Sequence, residues 1–131
     1  MKKTAFIIAM LLQGLVGYSQ NPASTYVKFM GYKSKVISDS AGNQNRTCIF
    51  PDGTECDEWQ FYRGICGKQF SYCATKGLLT ESVIDSINHT IYAVCVFIDS
   101  TGKKVKFPLL KFMEQNGDTL FKQGYLKKKR G

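Results

Sequence analysis

The five cysteines of this 131-residue chain are its side chains with the widest possible chemistry. No two of them form a C-x-x-C pair, and the chain has one histidine, His89, which lies in a predicted loop. Structural zinc sites use four Cys or His ligands at short, characteristic spacings, so this pattern does not indicate a metal site. We therefore expect no metal and no cofactor, and we expect disulfide bonds among Cys48, Cys56, Cys66, Cys73 and Cys95.

The amino-terminal residues have the pattern of a bacterial secretory signal. Lys2 and Lys3 precede an apolar stretch over 5–16, and Gly17 and Ser19 are placed for cleavage before Gln20. A membrane-spanning helix needs about 20 apolar residues, which this stretch does not supply. No cysteine precedes the mature domain, so a lipoprotein site is not expected. Residues 1–19 therefore predict a signal peptide, and we expect a periplasmic or secreted protein in which disulfides persist.

The formal net charge of +8 is unevenly distributed. Residues 21–117 are nearly neutral, whereas 118–131 form a basic tail. Such a tail favours anionic membrane surfaces or polysaccharides, and nucleic acid is not expected as a partner of an exported chain. The candidate surface-binding residues are Lys127, Lys128, Lys129 and Arg130.

A repeat runs through the body of the chain, with an offset of 46 or 47 residues. The first copy, 21–67, contains Tyr26, Gly31, Cys48, Phe50 and Asp52. The second copy, 68–117, contains at the matching places Tyr72, Gly77, Cys95, Phe97 and Asp99. The pattern indicates a duplication with a diverged second copy.

Each copy has the sequence pattern of a helix, a β-hairpin and a second helix. In the first copy the helices are predicted over 22–31 and 57–63 and the strands over 33–39 and 46–50. In the second they are predicted over 70–76 and 108–115, with strands over 79–86 and 90–98. The expected fold class is α+β, two tandem helix–hairpin–helix units with antiparallel strands held by disulfides, and the two hairpins could share one sheet.

One long motif resembles a known family. The run C-I-F-P-D-G-T-E-C-D-E-W over 48–59, with N-P-A-S at 21–24 and R-G-I-C at 63–66, is similar to a bacterial domain-of-unknown-function family labelled as hemolysins. The resemblance covers about 21–67. It implies an exported component of the cell envelope and carries no established mechanism.

The family pattern also implies the disulfide pairing. The family has a cysteine directly after the tyrosine of its first helix; this chain has Val27 there, whereas the second copy keeps Cys73. Comparison of the copies therefore implies Cys56 with Cys66, Cys73 with Cys95, and a free thiol at Cys48. The first bridge requires that a helix end at Gly64 or that Cys56 precede the helix. Pairing of Cys48 with Cys66 or with Cys73 is the alternative.

Two other groups of residues could form sites. Asp52, Glu55, Asp57 and Glu58 lack calcium-loop spacing and are expected to be a solvated turn and helix start, where acids favour the helix dipole. Trp59 and Tyr62 share a helix face, and packing against the hairpin is expected over an exposed patch.

Cys48 is a candidate nucleophile, but the sequence shows no basic partner for it, so no catalytic residues are expected and the protein is not expected to be an enzyme. The expected function is that of an exported, non-enzymatic binding or adaptor module with an envelope or extracellular protein or polysaccharide as partner. The alternative is a membrane-active protein that acts at anionic surfaces through its basic tail.

Overall fold

A computed structural model of the protein describes residues 21–120. The expected signal peptide and the basic residues 127–130 lie outside this range. The first half contains α1 (Pro22–Met30), β1 (Lys33–Ser38), β2 (Gln44–Ile49), β3 (Glu55–Asp57) and α2 (Glu58–Tyr62). The second half contains a 3₁₀ turn (Lys68–Phe70), α3 (Tyr72–Thr75), β4 (Leu79–Asp85), β5 (Thr90–Ile98), β6 (Lys104–Pro108) and α4 (Leu109–Gln115). Among these described helices, none has the length and apolar character needed to cross a membrane.

Helix α1 begins and ends at residues suited to those positions. The Asn21 side chain accepts hydrogen bonds from the backbone N–H groups of Ala23 and Ser24, and proline occupies the first helical position. Gly31 ends the helix with φ of 81°, a left-handed conformation that glycine adopts without steric cost. These local signals place the buried face of α1, including Tyr26 and Val27, against the rest of the first half.

The predicted helix–hairpin–helix architecture is wrong. Each half forms its own three-stranded antiparallel sheet, in the order β1-β2-β3 and β4-β5-β6, so the hairpins do not share a sheet. Within residues 21–120 the helices are few and short, and the longest of them has nine residues. The architecture is therefore two small antiparallel sheets with short helices between and beside them.

The two additional strands account for this difference. After the turn at Pro51–Gly53, the chain runs back along β2 for three residues, with Cys48 opposite Cys56. After the turn at 99–102, β6 pairs with β5 from Ile98 to Val94. Strands this short have little sequence signal of their own, because the ladder to a preceding strand is what holds them.

One apolar core joins the two halves. Aromatic rings dominate it, and the ring of Phe50 stacks on that of Phe70 with centroids 4.6 Å apart. The halves therefore bury their apolar surfaces against one another. Core residues from the first half include Tyr26, Cys48 and Phe61, and those from the second half include Cys95, Leu109 and Met113.

Tyrosine hydroxyls add polar contacts where the halves meet. The Tyr72 backbone N–H donates to the Tyr26 hydroxyl at 2.9 Å, and the Tyr32 hydroxyl donates to the Phe70 carbonyl at 2.6 Å. The Tyr72 hydroxyl in turn donates to Asp118 at 2.6 Å. In each half, the tyrosine of the first α-helix thus hydrogen-bonds to the segment that follows that half in the chain.

We expect Tyr26→Phe to lower the free energy of unfolding by about 1 to 3 kcal/mol, because it leaves the buried N–H of Tyr72 without an acceptor. Urea unfolding followed by circular dichroism measures the change. Tyr92→Phe is the matched control, since Tyr92 is 39% exposed, and its midpoint should equal that of the wild type. Equal midpoints for both variants would show that the Tyr26 hydroxyl does not stabilise the junction.

Candidate functional site

The structure contains two disulfide bonds and one free thiol among the cysteines. Cys56 bonds Cys66 with Cα atoms 6.2 Å apart, and Cys73 bonds Cys95 with Cα atoms 5.2 Å apart. These are the pairs that the resemblance implied. The condition on the first bridge is met because Cys56 lies in β3, before α2 begins, and the chain turns at Gly64.

The free thiol of Cys48 is buried beside one of the bridges. It lies opposite Cys56 in the β2–β3 ladder and has no solvent exposure. Burial, and secondarily the charge of Glu58, raises the pKa of Cys48 to about 12. Because the thiolate is the reactive form of cysteine, these surroundings make Cys48 a packing residue and not a nucleophile.

We expect Cys48 to resist iodoacetamide at pH 8 in the native protein and to react fully in guanidinium chloride. The reason is that unfolding removes the burial and returns the thiol to an ordinary pKa of about 8.5. Intact mass of the unreduced protein should show no added carbamidomethyl group when folded and one when unfolded. Rapid labelling of the folded protein would contradict the buried position of this side chain.

Glu58 is a buried carboxylate, which the sequence analysis did not expect. Its exposed fraction is 1%, and three side chains from other elements contact it. The Ser24 hydroxyl of α1 donates to Oε1 at 2.6 Å, the Ser34 hydroxyl of β1 donates to Oε2, and Arg46 Nε of β2 lies 3.4 Å from Oε1. Glu58 therefore connects α1, the first sheet and α2. Both of its carboxylate oxygens accept hydrogen bonds within the protein.

The other three acids of the predicted cluster have separate structural roles. Asp52 accepts from the backbone and hydroxyl of Thr54, and these hydrogen bonds lower its pKa. Glu55 pairs with Lys35 at 2.8 Å on the surface, and Asp57 caps α2. The described residues contain no group of acidic, His or Cys side chains arranged to hold a metal ion.

Trp59 is partly exposed at the surface and lines a cleft together with residues 44–46 of the hairpin, against which the sequence predicted it to pack. Its exposed fraction is 36%, and the Arg63 guanidinium lies 4.9 Å from the ring centroid. The Tyr62 ring meets it edge-on with centroids 6.0 Å apart. The cation–π contact holds the indole and the positive charge together on the exposed face of α2.

Trp59, Tyr62 and Arg63 form one wall of a groove between the two halves. The opposite wall comes from β5 and the start of α4, and the groove has a volume of about 270 Å³. We call it the interhalf groove. Its lining is mainly apolar, and Arg63 is its charged residue. The wall from the second half is lined by Thr90, Ile91, Tyr92, Ala93, Pro108, Leu109 and Leu110.

A second cleft lies on the first half, on another side of Trp59. It has a volume of about 320 Å³, and six of its eight lining residues are polar or charged. We call it the polar cleft. Glu58 contributes to its wall, but its oxygens are occupied by Ser24, Ser34 and Arg46. The other lining residues are Asn21, Val36, Gln44, Asn45, Arg46, Asp57 and Trp59.

The sequence did not indicate the residues of the second wall, because no chemical motif marks them. One signal was available: the second predicted helix of each copy begins here, at 57 and at 108. His89 contributes to neither cleft; it lies at the β4–β5 turn with φ of 55°.

Comparisons with known proteins cover part of the chain. Residues 19–65 match the family model described as Domain of unknown function (DUF333). An uncharacterized protein of the archaeon Archaeoglobus fulgidus is 33% identical over 78 residues, which are 60% of this chain and 36% of that protein. The chain thus spans about a third of the length of this relative. No solved structure matches the chain.

These findings support the coarser part of the expected resemblance. The matched segment is a domain of unknown function, and the chain is also similar to an archaeal protein, so neither the bacterial restriction nor the hemolysin label is supported. The family match ends at residue 65 and does not extend into the predicted second copy. What the comparisons establish is therefore that residues 19–65 of this chain match the family Domain of unknown function (DUF333).

Proposed function

We propose that the protein is an exported, non-enzymatic binding module whose binding site is the interhalf groove. The observation that carries this proposal is the set of aromatic and aliphatic side chains left partly exposed around one depression. Trp59, Ile91, Tyr92 and Leu110 are each between 36% and 42% exposed, although the neighbouring Ala93 and Leu109 are buried. Exposed apolar surface of this kind is typical of interaction sites.

The residue types in the groove favour a protein partner. Tryptophan, tyrosine and arginine are the residues that most often dominate the binding energy of protein interfaces. In the unbound protein, contacts already join the side chains of Trp59, Tyr62 and Arg63. Binding would therefore cost little side-chain conformational entropy. A preorganised aromatic wall beside an apolar depression suits an apolar anchor side chain of a partner.

Export is the second part of the proposal. It is supported by the signal-like pattern of residues 1–19, and the two disulfides are compatible with an oxidising compartment. Fractionation of the native host followed by immunoblotting tests this part independently of binding. We expect the mature chain, starting at Gln20, in the periplasm or the medium; retention of residues 1–19 in the cytoplasm would contradict it.

Affinity capture from envelope extract tests the binding part when groove and control variants are compared. The groove variant is Trp59→Ala with Leu110→Ser, and the control is Ile84→Ser, which removes a 69% exposed apolar side chain outside the groove. We expect a defined set of proteins to bind the wild type and the control and to be lost from the groove variant. Equal recovery by all three proteins, or no recovery by any of them, would overturn the groove as the binding site.

The alternative, membrane activity through the basic tail, makes a different prediction. Dye-filled vesicles containing anionic lipid should leak only with a chain that retains residues 127–130. Leakage that depends on the tail and not on Trp59 would favour this alternative over the groove.

A further inference from the structure

The interhalf groove and the polar cleft occupy equivalent places in the two halves. In the first half the polar cleft lies between the start of β2 (44–46) and the end of β3 with the start of α2 (57–59). In the second half the groove lies between the start of β5 (90–93) and the end of β6 with the start of α4 (108–110). The same structural position has therefore produced both depressions.

That position is a gap left by a strand that is shorter than its neighbour. Strand β4 pairs with β5 from Thr90 to Val96, whereas β6 pairs with β5 only from Val94 onward. Residues 90–93 of β5 thus have a strand on one side and the groove on the other. The first half repeats the pattern, because β3 reaches only Thr47 of β2.

The open side of β5 carries backbone groups that a strand could use. In an antiparallel ladder, alternate residues direct their N–H and C=O groups to opposite sides. Within residues 21–120, no backbone hydrogen bond outside the regular elements involves residues 90–93. An edge with unpaired N–H and C=O groups is a template for an added strand.

The side chains around this open edge define what could occupy it. An apolar side chain of an added strand would meet Trp59 and Leu110, and a carboxylate would meet Arg63, the one charged residue among the groove's described lining residues. The equivalent cleft of the first half is lined mainly by amide and charged side chains, including the already satisfied Glu58, and its apolar residues are Val36 and Trp59. The second half is therefore the better site for an apolar segment.

We infer that the interhalf groove binds an extended peptide segment of a partner protein, which adds a short strand to β5 beside residues 90–93, in line with β6. The segment carries an aliphatic or aromatic residue for the groove and an acidic residue for Arg63. This inference rests on the proposed function and names its ligand class. Main-chain hydrogen bonds supply affinity in this mode of recognition, and the side-chain pockets supply specificity.

A random 12-residue peptide library displayed on phage, selected on the immobilised mature chain, provides the probe. We expect enriched peptides that alternate apolar and polar residues and contain Asp or Glu. Their synthetic forms should bind the wild type and Ile84→Ser equally. Trp59→Ala should weaken binding about tenfold or more, and Arg63→Gln should weaken it while removing its salt dependence.

Two measurements separate strand addition from binding in another conformation. N-methylation of alternate peptide amides should weaken binding about tenfold or more, because it removes main-chain donors. Hydrogen exchange of the backbone amides at 90–93 should slow in the complex. Groove-dependent binding that tolerates N-methylation in both registers, with unchanged exchange at 90–93, would overturn strand addition and leave the proposed function standing.

Other occupants would give distinct results. Failure to enrich any peptide would overturn the inference, and the extract capture would then decide the proposed function alone. A concentration-dependent dimer that protects 90–93 would make a second copy the occupant. Peptide binding that appears only when the chain is shortened to residue 120 would make this chain's own carboxyl-terminal segment the occupant. Either result would overturn an external partner segment.

Discussion

Glu58→Ala should lower the free energy of unfolding by about 2 to 4 kcal/mol, the largest loss that we expect from one substitution in this protein. The variant removes two hydrogen bonds to a charged acceptor, from Ser24 and Ser34, together with the ion pair to Arg46. Bonds to charged groups contribute more than neutral ones, and here they connect three elements of the first half. The ion pair adds less, because Arg46 is about half exposed.

Urea unfolding measures this loss, and Glu55→Ala is the matched control. Glu55 pairs with Lys35 at the surface, where both side chains are at least 40% exposed, so its removal should cost no more than about 1 kcal/mol. Glu58→Gln should lie between the two, because its amide oxygen still accepts one hydrogen bond. If Glu58→Ala and Glu55→Ala cost the same, Glu58 does not connect these elements as the structure describes.

Val27→Cys should create a third disulfide, with Cys48, and raise the free energy of unfolding by about 2 to 4 kcal/mol. Val27 follows Tyr26 in α1 as Cys73 follows Tyr72 in α3, and Cys48 in β2 corresponds to Cys95 in β5. Val27 and Cys48 are both fully buried in the same core cluster. The second half therefore already contains the bridge that this substitution would add to the first.

Intact mass measured with and without alkylation tests the new bridge. The oxidised variant should carry no free thiol, whereas Val27→Cys combined with Cys48→Ala should carry one and gain no stability. The rise in the melting temperature should be about 4 to 8 °C for each kcal/mol in a domain of this size. Two alkylatable thiols in the unfolded, unreduced variant would show that α1 and β2 are not arranged like α3 and β5.

Local sequence signals predicted the parts of the fold that local interactions determine. The position of α1 and the strands of both hairpins depend on residues close together in the chain. Strands β3 and β6 do not, because each is held by a ladder to a preceding strand. Their omission made the predicted architecture wrong although the positions of the hairpins were close to those observed.

In the candidate site, too, local sequence signals predicted some features, and contacts between distant segments determine the others. Acidic residues at a helix start are usually solvated, and the partners that bury Glu58 lie on α1 and β1, 34 and 24 residues away. Helical periodicity correctly placed Trp59 and Tyr62 near each other, but it could not show that the second half would stop short of covering them. Burial and exposure here depend on tertiary contacts between segments that are distant in the chain.

The stacking of Phe50 on Phe70 has a consequence for where this molecule can be divided. The family match ends at residue 65, yet the ring of Phe70 lies beyond that point and packs on Phe50, while the Phe70 carbonyl accepts from Tyr32. A fragment cut at the end of the match would uncover these aromatic rings and remove the donor that Tyr72 offers to Tyr26. The unit matched by sequence is thus smaller than the unit that must fold together.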